Sequence, residues 1–447
     1  MKNLSVRILF LGLFMSSTWA FSQNKYLQSG PMVGYSTMKE ALLWVQTKSS
    51  AKVHFEYFEK GNPSGRIKTP IQVTRAEDSY IAKVVVEVYP GKQYQYELFI
   101  NKKKVNLPYA CEFQSQTLWQ WRTDPPAFKF VFGSCNYVNE PEFDRPGNPY
   151  GGEHFIFKSI LEQKPAFMIW GGDNTYLREV DWDSKTGVRD RYTHTRSLPE
   201  VQALLASVHH YAVWDDHDYG PDNADRGYWM KDETLETFKL FWGNANYGPG
   251  GGASGTFFWN DIQFFMLDNR YFRAPNNGNL ADKDLLGEQQ LQWLIDALIE
   301  SRAPFKFIVI GTQVLNPVTA PWTENYDKFP EEKAKLFKAI QDNKISGVFF
   351  LSGDRHHTEL SKMDRPGTYP IYELTVSPFT AGPVGDRSKD EANTYRVPGT
   401  YYGQRNFSIL DVSGKRTERV LNISILDNMG KEVWKKEIQA KELKDGQ

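Results

Sequence analysis

Between residues 29 and about 122, apolar side chains recur at every second position in short runs. Leu43-Trp44-Val45, Val53/Phe55/Tyr57, Val84/Val86/Val88 and Tyr94/Tyr96/Leu98/Ile100 carry this pattern, and Asn62-Pro63, Pro70 and Pro90-Gly91 interrupt it. Successive strand residues point to opposite faces, so each run marks a strand with a buried face and each interruption a turn. About seven strands within roughly a hundred residues predict an immunoglobulin- or fibronectin-III-like β-sandwich, spanning 23–122. Its aromatic residues read as sandwich core, not as a ligand platform. Asp124-Pro125-Pro126 then makes a stiff boundary.

Past that boundary, over 127–447, strands alternate with helices. Phe128 to Phe132 predicts a strand, His154 to Leu161 a helix, and Phe167 to Trp170 a buried strand. A helix over Arg189 to Leu205 and a strand over Tyr211 to Trp214 follow. Leu291, Leu294, Ile295, Leu298 and Ile299 fall at helical spacing before the strand Phe307 to Ile310. Pro330 suits a first helical turn, so Glu331 to Ile340 predicts a helix, and Val348 to Leu351 closes the series. Such alternation predicts an α/β domain with a largely parallel sheet covered by helices. Three late runs near Tyr372–Val376, Phe407–Val412 and Leu421–Leu426 lack intervening helices and are expected as antiparallel edges.

The first residues follow another pattern. Lys2 and Arg7 precede the apolar run Ile8 to Met15, and small residues follow at Ser16, Ser17 and Ala20. This is the form of a signal peptide over 1–22, cleaved after Ala20 or Ser22, with a periplasmic or extracellular destination. The run is well short of the ~18 residues that span a bilayer, so no stable membrane anchor is expected. With 447 residues, Lys+Arg 53 and Asp+Glu 54, the chain gives no reason to expect a nucleic-acid partner. Two cysteines exclude a disulfide scaffold or a Cys-rich zinc module.

Candidate chemistry gathers where the apolar strands stop. Gly133-Ser134-Cys135 follows the first α/β strand and Gly171-Gly172-Asp173-Asn174-Thr175-Tyr176 the second. Asp215-Asp216-His217-Asp218 follows the third and Ser352-Gly353-Asp354-Arg355-His356-His357 the last. Ligands of open α/β sheets bind outside the carboxyl ends of strands, so these segments should converge. Cys135, Asp173, Tyr176 and His356 suit a transition metal, and the anionic phenolate and carboxylate favour iron(III), Fe3+. Asp216, Asn223 and Asp354 offer only oxygens, with Asp173 free to bridge; hard oxygen donors favour Ca2+ or magnesium. Two metals about 3.5–4 Å apart can clamp both oxygens of an in-line displacement and generate a hydroxide nucleophile. The implied reaction is hydrolysis of a phosphate ester.

The same residues carry a family resemblance. Gly172-Asp173-x-x-Tyr176 resembles the metal motif of purple acid phosphatases. Trp214-Asp215-Asp216-His217-Asp218 with Asn223, Leu267-Asp268-x-Arg270-x-x-Arg273 and Ser352-Gly353-Asp354-Arg355-His356 resemble the alkaline phosphatase D (PhoD-like) family of calcineurin-like metallophosphoesterases. The resemblance implies a four-layer αββα catalytic fold behind a β-sandwich, an iron–calcium centre, and phosphomonoesterase or phosphodiesterase activity on small phosphate esters. It places iron on Cys135, Asp173, Tyr176 and His356, and calcium on Asp173, Asp216, Asn223 and Asp354. Three departures stand out: one extra residue in Tyr219-Gly220-Pro221-Asp222-Asn223, Asn269 for a usual threonine, and no twin-arginine signal.

Individual residues have competing readings. Cys135 is read as a thiolate ligand; the alternative is a disulfide to Cys111 in an oxidising compartment. His217 serves either at the leaving group or phosphate, or structurally by bridging Asp218. Arg270 either grips phosphate bidentately or pairs with Asp268 or a neighbouring carboxylate. Arg355 points into the site or out of it. The loop aromatics Tyr228, Trp229, Trp242, Tyr247, Trp322 and Tyr326 either wall a substrate cleft or pack the loops together. Two other functions compete: a non-catalytic exported glycan- or lipid-binding protein, and hydrolysis of phospholipid diesters. The sequence does not decide monoester against diester or set the oligomeric state.

Overall fold

A computed structural model describes residues 25–278, 280–281 and 283–445. The expected leader lies outside the described residues. Among those described, no helix is long and apolar enough to cross a membrane.

Two sheets stack at the centre. The first has nine strands in the order Glu432–Gln439, Val420–Asp427, Asn406–Ser413, Phe128–Gly133, Phe167–Gly171, His209–Val213, Leu27–Ser36, Glu40–Thr47, Ile81–Glu87. The second has six: Gly255–Trp259, Ile262–Met266, Lys306–Ile310, Val348–Ser352, Ile371–Thr375, Glu359–Met363. Phe128–Gly133, Phe167–Gly171 and His209–Val213 run parallel. So do Ile262–Met266, Lys306–Ile310, Val348–Ser352 and Ile371–Thr375. Phe130 and Phe132 face the second sheet, while Val131 between them faces the helices, as period-two alternation requires. Phe130 meets Phe264 edge-on at 5.2 Å, and Phe167 meets the same ring at 5.4 Å. Helices Ile156–Glu162, Lys185–Arg196 and Lys231–Phe241 cover the first sheet's outer face through Phe157, Tyr192 and Phe238. Helices Glu288–Glu300 and Pro330–Asp342 cover the second through Leu294, Leu298, Leu336 and Ile340. This α/β region has the four layers αββα, as expected.

Three expectations need correction. Ile371–Thr375 is no antiparallel edge: it pairs parallel with Val348–Ser352 inside the second sheet, and Glu359–Met363 takes the edge. The helix expected over Arg189 to Leu205 is broken. Lys185–Arg196 ends at Ser197, and helix resumes at Gln202–Leu205 after Pro199, whose ring cannot donate an N–H in a helix interior. The boundary at Asp124-Pro125-Pro126 does not divide the sheets. Strands Leu27–Ser36, Glu40–Thr47 and Ile81–Glu87 form one half of the sandwich, packed on Phe55, Tyr57, Tyr96 and Leu98 of the facing sheet, yet they extend the catalytic sheet. The joint is Val33 beside His209 in parallel register, with the His209 Nδ1–H donating to the Gly34 carbonyl at 2.7 Å.

Candidate metal centre

The carboxyl ends of both sheets open onto the same place. The chain turns sharply there, and the turns aim the side chains. Cys135, Asp173, Asn223, Asp354 and His356 all have φ between 51° and 69°, a left-handed conformation that non-glycine residues rarely adopt and that collects at functional sites. Gly172 precedes Asp173 at φ 101°, and a Cβ there would stand 2.8 Å from the Asp215 Cβ. Only glycine lets the Asp173 turn pass this close to the Asp215 strand end. Asp218 fastens the two segments, accepting from the backbone N–H groups of Asn174, Thr175 and Asp215.

Cys135, Asp173 and His356 offer ligand atoms within 4.8 Å of one another. Tyr176 completes this group: its hydroxyl lies 3.2 Å from Asp173 Oδ2 and 3.2 Å from His356 Nε2. The Cys135 Sγ lies 3.6 Å from Asp173 Oδ2 and accepts from the Ser377 hydroxyl at 3.0 Å. Both cysteines are free, which removes the disulfide alternative. His356 Nδ1 lies 2.6 Å from the Gly382 carbonyl. An N–H at Nδ1 donating to that carbonyl fixes the tautomer and leaves the Nε2 lone pair for a metal.

Asp173 also belongs to the second group, with Asp216 and His217 within 4.8 Å. Beyond it Asp215, Asp216 and Glu324 form a third set, and the Asp354 carboxyl feels the charges of Asp215, Glu324 and Asp216. Asn223 is not brought in by its side chain. Its backbone N–H donates to Asp216 Oδ2 at 2.7 Å, while its amide donates to Asp222.

The electrostatics call for cations. Burial pushes the Cys135 thiol up to about 12. Burial, then repulsion from Asp216 and Cys135, raises the Asp173 carboxyl well above the usual range. Burial also raises Tyr176, Asp215 and Asp354. Asp215 Oδ2, Asp216 Oδ1 and Asp354 Oδ2 are buried without a hydrogen-bond partner. Buried carboxylate oxygens left unpaired are costly, and bound cations reverse the penalty. The thiol, phenol, imidazole and carboxylate around Asp173 suit a transition metal, and the carboxylates beyond it a hard cation.

Arg270 is committed elsewhere than to phosphate. Fully buried, it donates from Nε to Asp215 and from its terminal nitrogens to Glu324, with Asp216 Oδ1 at 3.6 Å. Of its two readings, pairing with neighbouring carboxylates is the observed one, but the partner is not Asp268. That carboxylate accepts from Trp214 Nε1, Ala253 N–H and the Arg270 and Tyr271 N–H groups. His217 does not bridge Asp218; it stacks on Tyr176 at 4.2 Å, with Nε2 3.7 Å from Asp222. Arg355 pairs with Glu391 at 2.6 Å and lies 3.8 Å from Asp354. Glu324 had no sequence signal: it is one glutamate in the long segment between Lys306–Ile310 and Pro330–Asp342. Of the loop aromatics, Tyr228, Trp242 and Tyr326 are buried packing groups, whereas Trp229 and Trp322 are exposed.

Stacked sheets with candidate metal-ligating side chains at the carboxyl ends of both are the arrangement of the metallophosphoesterase fold. Residues 256–417 match the family described as PhoD-like phosphatase, and residues 24–118 match a domain of unknown function (DUF7800). That first match takes in Leu267-Asp268-x-Arg270-x-x-Arg273 and Ser352-Gly353-Asp354-Arg355-His356, two of the motifs that carry the resemblance. A solved structure of PhoD covers 90% of this chain and 87% of its own, with a TM-score of 0.74 at 16% identity. A purple acid phosphatase, PPD1 from yellow lupin (Lupinus luteus) seeds, covers 92% of this chain and 74% of its own, with a TM-score of 0.65 at 12% identity. At these identities the likeness is one of fold. No curated protein matches the chain significantly.

Proposed function

We propose that the chain is an exported two-metal phosphoesterase that hydrolyses phosphate monoesters, diesters or both. The observation that carries this reading is the position of Asp173, which belongs to two ligand groups at once. Cys135, Asp173, Tyr176 and His356 would hold iron(III). Asp173, Asp216 and Asp354 would hold calcium, with Asn223 flanking Asp216. When bound, the pair supplies Lewis-acid stabilisation of the phosphoryl oxygens and a nucleophile at moderate pH.

The chain's own residues have separable tasks. Asp218 and Gly172 hold the Asp173 and Asp215 turns in contact. Arg270 is a positioning residue, neutralising Asp215 and Glu324 so that Asp216 stays ionised. His217 lines the open cleft next to Tyr176, where it can reach the ester. Chemistry is assigned to the region past Pro126, and the described residues 25–122 buttress the edge of its sheet.

The test is protein purified without chelator, assayed for phosphate or alcohol release from aryl phosphate mono- and diesters before and after EGTA. The reading expects activity that EGTA abolishes and calcium restores. Inactivity toward every ester with both metals present would contradict it. Export is checked by N-terminal sequencing of mature protein, expected to start near Phe21 or Gln23.

A further inference from the structure

Beside the metal centre lies a cleft of about 360 Å³ whose walls include Tyr137, Tyr150, Tyr176, Trp182 and His217. The rings form a continuous surface. Tyr176 stacks on His217 at 4.2 Å, Tyr137 meets Tyr176 at 5.0 Å, and Tyr150 meets Tyr137 edge-on at 5.0 Å. Tyr150 remains 45% exposed, so its ring is available.

The segment that carries Tyr150 is fastened in place. Asn139 clasps Gly151 through two hydrogen bonds of 2.9 Å, and the Gly152 N–H donates to the Thr380 carbonyl at 2.7 Å. The Asp144 carboxylate accepts from the Glu140 N–H at 2.7 Å. The Tyr150 ring rests on Gly382, where a Cβ would stand 2.9 Å from it. Its hydroxyl lies 3.1 Å from His356 Nδ1, which joins the wall to the candidate ligand set.

The charges in the cleft say what it favours. Arg178 is spent on Asp144 and on the Val138 and Tyr176 carbonyls. Arg145 faces Glu179 at 3.3 Å. Among the described residues that line the cleft, the buried cation Arg178 is committed and the exposed Arg145 is shared with Glu179, while Asp222 on the rim faces His217 and Asn223. An aromatic wall whose one buried cation is committed and whose rim carries carboxylates favours a flat, uncharged ring. Aromatic rings pack on such walls with a preference beyond their buried area, and a preformed wall loses little ordering entropy on binding.

We propose that this cleft is the leaving-group subsite and selects phosphate esters of aromatic alcohols, with Tyr150 as its main specificity-determining residue. The inference rests on the phosphoesterase reading and deepens it. The test is calorimetric titration of the metal-loaded protein with phenylphosphonate and with methylphosphonate, run beside hydrolysis of an aryl and an alkyl phosphate ester. Wild type should bind the phenyl compound about 10-fold tighter or more. Tyr150→Ala should bring the affinity ratio close to one, and Tyr150→Phe, which keeps the ring and loses only the contact with His356, should restore it. Equal affinity for the two phosphonates in wild type, with ester hydrolysis intact, overturns the subsite alone. A ratio unaffected by Tyr150→Ala at unchanged metal content overturns the role of Tyr150. No phosphonate binding and no hydrolysis removes the phosphoesterase reading and this inference with it.

Discussion

On one side of Asp173 stand Cys135, Tyr176 and His356; on the other stand Asp216, Asp215 and Glu324, with Arg270 among them. The first group contains no cation. Its thiol and phenol are raised by burial and by their acidic neighbours. His356 is pushed down to about 4, chiefly by burial, which keeps it neutral. The second group carries its own positive charge. Although burial works against it, the Arg270 guanidinium holds the Asp216 carboxyl below its usual range. The thiol and phenol of the first group therefore remain protonated until a metal displaces the protons, whereas in the second Asp216 is held ionised in advance by Arg270, although burial raises its neighbour Asp215. The difference suits a soft or trivalent ion on the first side and an exchangeable hard ion on the second.

Removing the resident cation should have the largest effect. Arg270→Leu leaves Asp215 with only the Asn269 amide and Glu324 with Arg273 at 4.0 Å and the Asn276 amide, and breaking a buried ion pair this way costs about 3–5 kcal/mol. The melting temperature should fall in EGTA and recover in part when calcium is added. An equal loss with and without calcium would erase the contrast between the two groups. The companion variant Arg270→Leu/Glu324→Leu should recover much of the stability.

Acid destabilises the fold through two buried histidines. Burial lowers His209 to about 4 and His210 to about 3 from 6.5. The unfolded chain therefore takes up more protons below pH 6.5, so stability is full above that pH and declines as pH falls toward 4 and then 3. The loss should reach a few kcal/mol at the acid end, since each tenfold difference in proton affinity between the folded and unfolded chain is worth about 1.4 kcal/mol. Melting temperatures from pH 7.5 to 4 should fall in wild type and fall less in His209→Gln, which removes one of the two titrating groups.

The metal-displaced protons give a spectroscopic check. Iron-loaded protein should show a tyrosinate-to-iron(III) charge-transfer band, and Tyr176→Phe should lose it. Loss of this one donor should weaken iron about 10–100-fold, taking the scale of a disturbed ligand environment. A surviving band would place the phenolate elsewhere. The smallest effect among the ligand variants is expected for Asn223→Ala, because its amide points to Asp222. Calcium affinity falling as far as in Asp354→Asn would show that the side chain swings in.

What was legible in the sequence follows the range of the forces involved. Strand ends such as Trp170-Gly171-Gly172-Asp173 and Leu351-Ser352-Gly353-Asp354 announce themselves locally: an apolar run stops, glycine turns the chain, and a ligand type follows. Longer-range features left no such mark. The pairing of Val33 with His209 joins segments far apart along the chain and depends on register rather than composition. Strand Glu432–Gln439 is mostly exposed, so no apolar alternation marks it. Glu324 and Tyr150 sit in loops whose course is set by tertiary contacts. The Arg270 motif was visible, but its partners were not, because one of them is Glu324.

Asp173, shared by two ligand groups, is the residue on which the two-metal reading stands. Elemental analysis of wild type, Asp354→Asn and Asp173→Asn, purified in one chelator-free buffer, tests it most directly. Wild type should hold iron and calcium, Asp354→Asn iron with depleted calcium, and Asp173→Asn neither ion at unchanged fold. Asp173→Asn that retains both ions, or wild type that holds stoichiometric zinc and no iron, would contradict it.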